Sequence, residues 1–339
     1  MEDLDTSVIR TAHQWWRESR APALITVART WGSSPRPPGS MMAICEAGQT
    51  VGSVSGGCIE DDLVERIRQG GLTAACPAYK PSVRQYGVST EQAHSFGLPC
   101  GGTIELVIEP VSQGSALPEL LDALEARRCV ARVLDLATGQ VRLDAGRTGS
   151  LPQLDDASMV SYHGPTARLI LIGAGDLSRF MAEMAIGMGF EVFVCDPRAE
   201  RASGWTMPGV PISAEMPDDI VQRLQPDART AVVALTHDPK LDDLALIDAL
   251  QTSAFYIGAI GSRRNSSVRR QRLREHFDLD DAALVRLRSP AGLYIGSKTP
   301  AQIALSIMAE VVAALNGIAL HPQAEVAKGK ASMAQVLVS

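Results

Sequence analysis

The stretch Leu169 to Arg198, LILIGAGDLSRFMAEMAIGMGFEVFVCDPR, constrains the fold more than any other part of the chain. An apolar run from Ala167 to Ile172 meets Gly173 and Gly175. An apolar-periodic segment follows (Phe180, Met184, Ile186, Met188), and a second apolar run ends at Asp196. That order predicts strand, turn, helix, strand. In such a unit the first glycine allows the tight turn and the second lets backbone N–H groups approach a phosphate, while the helix dipole favours negative charge at its N-terminus. Asp196 closes the second strand about 20 residues on, where an acid can read a ribose. The unit reads as half of a nucleotide-binding fold, with Gly173, Gly175 and Asp196 as cofactor-binding residues. Ser178 stands at the third glycine position, so looser packing of helix on strand is expected.

The alternation continues. Ala231 to Leu235 reads as a strand ending in Thr236-His237-Asp238-Pro239, with a helix over Leu241 to Leu250. Ala254 to Ile260 is a further strand, ending in Gly261-Ser262-Arg263-Arg264-Asn265 and opening a basic helix with Arg269, Arg270, Arg272 and Arg274. Strands and helices at this spacing predict a Rossmann-like, doubly wound parallel sheet, whose ligands bind beyond the carboxyl ends of the strands. The turns at Gly173, Asp196, Thr236–Asp238 and Gly261–Arg264 are therefore expected to converge on one cleft. There His237 can serve acid–base work or bond a ligand, or it is a structural histidine on a neighbouring carboxylate. Arg263 and Arg264 suit a phosphate by charge and bidentate geometry, or they line a solvated helix face. Lys298, in Gly-Ser-Lys-Thr, lacks the preceding glycine and strand of a Walker loop, which excludes that reading.

A chain of 339 residues is long for one core and predicts two domains. We place an N-terminal α/β domain with cysteine-bearing turns at 1–143, a polar Gly/Ser/Asp-rich linker at 144–165, the Rossmann-like domain at 166–322 and a tail at 323–339. In the first domain, a strand at Pro22 to Trp31, a pair at Met41–Cys45 and Val51–Ser55, and strands at Val83–Val88 and Thr103–Val111 surround two glycine-rich turns. One, Gly56-Gly57-Cys58, opens a helix; the other is Pro99-Cys100-Gly101-Gly102. A thiolate at a helix N-terminus is stabilised by the dipole, which would make Cys58 a nucleophile, a sulfur carrier or a soft-metal ligand. Glu60, Asp61 and Asp62 oppose it and compete for the same amides, and a space-filling buried thiol is the alternative. Cys100 carries the same choice, and together the two cysteines suit a soft metal.

The net charge of −6 disfavours nucleic acid and anionic membranes as partners, since both select for excess Lys and Arg. The acidic start MEDLDTSVIR does not resemble a signal peptide, and a cytoplasmic location is expected. Six cysteines lack any C-x-x-C pair, so most are expected to be buried thiols, and the histidines show no metal-ligand spacing.

Taken in order, Gly52-Ser53-Val54-Ser55-Gly56-Gly57-Cys58-Ile59-Glu60, Pro99-Cys100-Gly101-Gly102, Leu171-Ile172-Gly173-Ala174-Gly175, Thr236-His237-Asp238, Ile257-Gly258-Ala259-Ile260-Gly261-Ser262-Arg263-Arg264, Ser289-Pro290-Ala291-Gly292-Leu293 and Gly296-Ser297-Lys298-Thr299-Pro300-Ala301-Gln302-Ile303-Ala304 resemble the xanthine dehydrogenase accessory proteins of the XdhC/CoxI family. The resemblance implies a maturation factor, not an enzyme in its own right. Such a factor binds the molybdenum cofactor as cargo, in its molybdopterin or cytosine dinucleotide form. It supports the cofactor's sulfuration and delivers it to a molybdenum hydroxylase of the xanthine dehydrogenase type. Cys58 and Cys100 would meet the molybdenum or its transferable sulfur. The cargo's phosphate would lie on the Gly173–Gly175 turn near Arg263 and Arg264. A cysteine desulfurase and a second copy of the chain are the further expected partners. The competing expectation is an NAD(P)-dependent oxidoreductase with Asp196 on the ribose and His237 as proton donor. A third is a scaffold whose nucleotide is structural.

Overall fold

The computed structural model describes residues 4–32, 36–87, 102–146, 151–277 and 279–326. The chain divides into two compact units, with the boundary between Pro165 and Thr166.

The N-terminal unit runs α1 (Leu4–Arg17), β1 (Ala23–Trp31), β2 (Met41–Ile44), β3 (Thr50–Gly52), α2 (Cys58–Gly70), α3 (Leu72–Ala75), β4 (Ser82–Tyr86), β5 (Thr103–Pro110), α4 (Leu117–Glu125), β6 (Val130–Asp135), β7 (Val141–Ala145), β8 (Gln153–Leu154) and β9 (Ser158–His163). Its strands form an antiparallel five-stranded sheet, β3-β2-β1-β5-β4, and a four-stranded one, β7-β6-β9-β8. Alternation along β1 decides the layers. Ile25 and Val27 pack with Ile59, Leu63 and Ile67 of α2, whereas Leu24 packs with Val8, Ile9 and Ala12 of α1 and Leu117, Leu120 and Leu121 of α4. The sheet is thus covered on both faces, and each such fully buried Leu or Ile contributes about 1.5–3 kcal/mol. Trp15 closes the edge of the second cluster.

The stretch 144–165, which the sequence presents as a linker, instead contains β9, which pairs along its whole length with β6. Its buried positions are Met159, Ser161 and His163, so two of three inward residues are polar and the apolar alternation is hidden. The two sheets are tied by a buried bidentate pair, Arg132 on β6 to Glu109 on β5 at 2.8 and 2.6 Å, with Arg132 also donating to the Ser115 carbonyl.

The C-terminal unit runs β10 (Arg168–Ile172), α5 (Asp176–Gly187), β11 (Glu191–Cys195), α6 (Ala199–Ala202), β12 (Ile212–Ser213), α7 (Pro217–Leu224), β13 (Thr230–Ala234), α8 (Pro239–Leu250), β14 (Tyr256–Ala259), α9 (Arg263–Phe277), α10 (Asp281–Val285), β15 (Leu287–Arg288) and α11 (Pro300–Leu315). All six strands are parallel, in the order β12-β11-β10-β13-β14-β15. This is the Rossmann order 3-2-1-4-5-6, whose switch point lies between the first and fourth strands, here β10 and β13. Leu169 and Leu171 face α5 and α11, while Ile170 and Ile172 face α7, α8 and α9. Both faces of the sheet are therefore wound by helices, as the alternation predicts. Glu310, the lone acid in apolar α11, is buried and accepts the Tyr256 hydroxyl and the Gly292 N–H at 2.6 Å each. These bonds dock the 289–293 loop, and the chain past Pro322 ties back there, with Tyr294 N–H on the Ala324 carbonyl and Leu293 bridged to Glu325. No described helix is long and apolar enough to cross a membrane.

Candidate functional site: the carboxyl edge of the parallel sheet and the Cys58 loop

Gly173 leaves β10 at φ +110°, a conformation L side chains rarely adopt, and a Cβ there would lie 3.1 Å from the Thr236 nitrogen. The glycine turn is thus pressed against the end of β13, at the switch point. Gly175 is different: its φ of −118° is open to any residue, and a Cβ would meet nothing within 4 Å. Nothing in the fold demands a glycine there. Gly175 caps α5 with no side chain on the helix amides, which leaves a small open space against a positive helix end. Ser178, in place of the third glycine, is buried, and its hydroxyl donates to the Gly173 carbonyl. That bond secures the turn.

Asp196 is fully buried and its oxygens are spent. Oδ2 accepts the Ala174 N–H at 2.8 Å and Arg198 Nη2 at 2.7 Å; Oδ1 accepts the Arg198 N–H at 3.1 Å and Nε at 2.8 Å. Burial pulls this carboxyl up, but the Arg198 and Ala174 hydrogen bonds outweigh it and hold it below the ordinary range. The expected ribose reader therefore has another occupation: it anchors the glycine turn and orients Arg198.

The Thr236–Asp238 loop is fixed by the neighbouring helix. Asp242 Oδ1 accepts the Thr236 hydroxyl at 2.7 Å and its N–H at 3.1 Å, while Oδ2 takes Arg269 Nη2 at 2.9 Å. Arg269, buried on α9, also donates to Asp243 and to the Ile260 carbonyl at the end of β14. The chain of contacts from Asp196 to Ala174, Gly173 to Thr236, and Asp242 through Arg269 to Ile260 brings all four sequence-predicted turns together along one sheet edge. His237 stands exposed there, held at φ +62°, and among the described residues it donates to no neighbouring carboxylate. Arg263 and Arg264 begin α9, exposed, with no acid in its first turn. Two cations at the positive end of a helix are unfavourable unless an anion lies between them.

In the N-terminal unit, the loop before α2 folds around an internal anion. Glu60 accepts the N–H groups of Val54, Ser55, Gly56 and Gly57 at 2.8–3.0 Å, together with the hydroxyls of Ser53 and Ser55. Burial raises this carboxyl, but the Ser55, Ser53 and Gly56 hydrogen bonds prevail and bring it down to about 2. The segment read as a strand to Ser55 therefore ends at Gly52. Gly56 (φ +91°) and Gly57 (φ +158°) expose their outer face, where a Cβ would meet nothing. Cys58 is the first residue of α2; its side chain and the whole of Cys100 lie outside the described residues. Among the described thiols, burial pushes Cys76 and Cys195 up to about 12, as expected of space-filling cysteines. No cluster of metal-ligating side chains is found among the described residues.

Glu60, Arg198, Asp242 and Arg269 carry the local architecture and are not apparent from the sequence. Asp242 and Arg269 are charged residues on otherwise ordinary helices, and only their burial, with Arg269 7% exposed and Asp242 0%, distinguishes them.

Residues 169–311 match the XdhC Rossmann domain, and residues 15–86 match the XdhC and CoxI family. The chain is similar to a probable xanthine dehydrogenase subunit from Bacillus subtilis, with 26% identity over 85% of this chain and 92% of that one. It is also similar to the molybdenum cofactor insertion chaperone PaoD of Escherichia coli, with 25% identity over 92% of this chain and 89% of that one. A crystal structure described as a xanthine dehydrogenase from Bacillus halodurans superposes with a TM-score of 0.71 at 26% identity, over 96% of this chain and 99% of that chain. With the XdhC and CoxI model and the XdhC Rossmann model matched in order and together spanning more than half of the sequence, the chain belongs to the XdhC and CoxI family.

Proposed function

We propose that this chain is a maturation factor for a molybdenum hydroxylase of the xanthine dehydrogenase type, binding the molybdenum cofactor as cargo, supporting its sulfuration and inserting it into the apo-enzyme. The reading is supported by similarity to PaoD, a molybdenum cofactor insertion chaperone, across both units. The observation that carries the binding half is Gly175. Its extended backbone and empty surroundings give the fold no use for a glycine, whereas a phosphate against the uncapped N-terminus of α5 needs that space. The cargo's phosphate, or a cytosine nucleotide attached to it, lies on the Gly173–Gly175 turn, with Arg263, Arg264 and His237 along the same edge. Asp196 serves this site by holding the turn. Cys58 and Cys100 meet the molybdenum or its transferable sulfur, and a cysteine desulfurase supplies that sulfur.

An NAD(P)-dependent oxidoreductase is the competing assignment, and it draws on Asp196 as the ribose acid. The four hydrogen bonds already on that carboxylate leave it no capacity for the ribose diol of NAD, so the assignment loses its NAD-type contact. The test is cargo retention. Wild type, Gly175→Val, Cys58→Ala and Cys100→Ala proteins are purified anaerobically from a molybdenum-competent host, and bound pterin and activation of the target hydroxylase are measured. Loss of pterin in Gly175→Val, and loss of activation in the cysteine variants, are expected. Retention and activation equal to wild type in all three overturn the reading.

A further inference from the structure

Beyond β11 the parallel sheet presents a fixed guanidinium where a ribose-reading acid would be expected. Asp196 is 0% exposed and accepts four hydrogen bonds, two of them from Arg198 side-chain nitrogens. A carboxylate in that state cannot turn outward to a ribose diol without leaving Arg198 and Ala174 unpaired. Arg198 is the group that reaches solvent, with its side chain 30% exposed. Its Nε and Nη2 face Asp196, and among the described residues nothing accepts from Nη1. A guanidinium carries five N–H donors in a rigid fork, so anchoring one edge aims the other. Asp238 and Glu200 are the negative charges near it, but neither hydrogen-bonds to it, and the Asp238 carboxylate is engaged by the Lys240 N–H at 2.9 Å.

The surroundings favour an anion by a separate route. The next strand, β10, ends in the Gly175 space at the uncapped helix terminus, and β14 ends in Arg263 and Arg264, which pair with no acid among the described residues. Neighbouring strands lie about 4.8 Å apart, so these donors line one edge that a multiply charged ligand can follow.

We propose that the ligand of the C-terminal domain lays a phosphate, and not a ribose diol, beyond the end of β11, where Arg198 receives it on the edge that Asp196 leaves free. Arg198 is then the specificity-determining residue of the cleft, and Asp196 its positioning residue. The ligand class is a nucleotide or pterin nucleotide with a phosphate at that end. The inference rests on the reading of the glycine turn as a phosphate cradle, and its test separates the two.

The probes are NADP+ and NAD+, which share a pyrophosphate and differ only in a 2′-phosphate, titrated into the full chain by calorimetry. NADP+ is expected to bind at least about tenfold tighter, the worth of one charge-assisted hydrogen bond. Arg198→Leu brings the ratio to about one, and Arg198→Lys, which keeps the charge opposite Asp196 and loses the fork, gives an intermediate ratio. Equal affinities in the wild type, no binding of either dinucleotide, or a preference that survives both substitutions overturns the proposal. Gly175→Val tests the turn alone: it weakens both dinucleotides together, and if it leaves both unchanged while Arg198→Leu still removes the preference, the turn reading fails and the Arg198 assignment stands. Cytidine 5′-diphosphate distinguishes the phosphate's source. Displacement of NADP+ supports a pterin-nucleotide phosphate at Arg198, and failure to displace supports a 2′-phosphate at the same residue.

Discussion

The carboxylate of Asp196, at the end of β11, accepts the backbone N–H of Ala174 at 2.8 Å and so holds the glycine turn that leaves β10. Two strand ends are joined by one buried charge, and Arg198 closes the pair at 2.7 Å. Asp196→Ala leaves the Ala174 amide and the inner edge of Arg198 without acceptors. The variant is expected to lose about 3 kcal/mol of stability, measured as the shift in urea midpoint of the C-terminal transition. A loss below about 0.5 kcal/mol contradicts the anchoring role, because a residue without such partners costs no more than that.

The two glycines of the turn separate folding from binding. Gly173→Ala forces a Cβ at φ +110° to within 3.1 Å of the Thr236 backbone, and costs about 1–3 kcal/mol. Gly175→Ala meets neither strain nor contact and changes stability by less than about 1 kcal/mol. Thermal unfolding of the two variants side by side checks this ordering.

Glu60 makes the Cys58 loop sensitive to acid. Its carboxyl lies at about 2 in the folded protein against 4.5 ordinarily. The stabilisation is therefore complete above pH 4.5 and is lost as pH falls from there towards 2. Glu60→Gln loses it at neutral pH as well, by about 1–3 kcal/mol, and its stability falls less steeply across that acid range. Urea titrations of both proteins at several pH values check the difference in slope.

His163 acts in a higher window. Burial, with the Arg132 charge in support, lowers its pKa from 6.5 to about 3. Above 6.5 it is neutral folded or unfolded; below that the unfolded chain takes up the proton first, so its contribution falls as pH drops from 6.5 towards 3. His163→Gln flattens stability against pH between about pH 6.5 and 5. An unchanged slope there contradicts the burial of a neutral imidazole.

The sheet of the C-terminal unit is legible in the sequence because its strands are apolar on both faces and its glycines punctuate them. What escapes is wherever a polar group is buried. β9 hides behind Ser161 and His163. Asp242 and Arg269 look like ordinary surface charges on helices until α8 and α9 pack and exclude water between them. Glu60 looks like a competitor for the helix amides, and it proves to be the core of the loop, since four consecutive N–H groups turn towards one carboxylate. Asp196 is found at the expected place with an unexpected partner, because Arg198 two residues on is close enough to claim it. Pairing of charges depends on which side chains the fold brings face to face, and residue periodicity does not encode that.

Carriage of the molybdenum cofactor by this chain is tested most directly by anaerobic purification of the full chain from a molybdenum-competent host, followed by joint determination of bound molybdenum, pterin and cytosine nucleotide. Pterin and molybdenum are expected in equal amounts on the wild type, and both are expected to be lost in Gly175→Val. Absence of molybdenum, pterin and nucleotide from the wild type would contradict a carrier role.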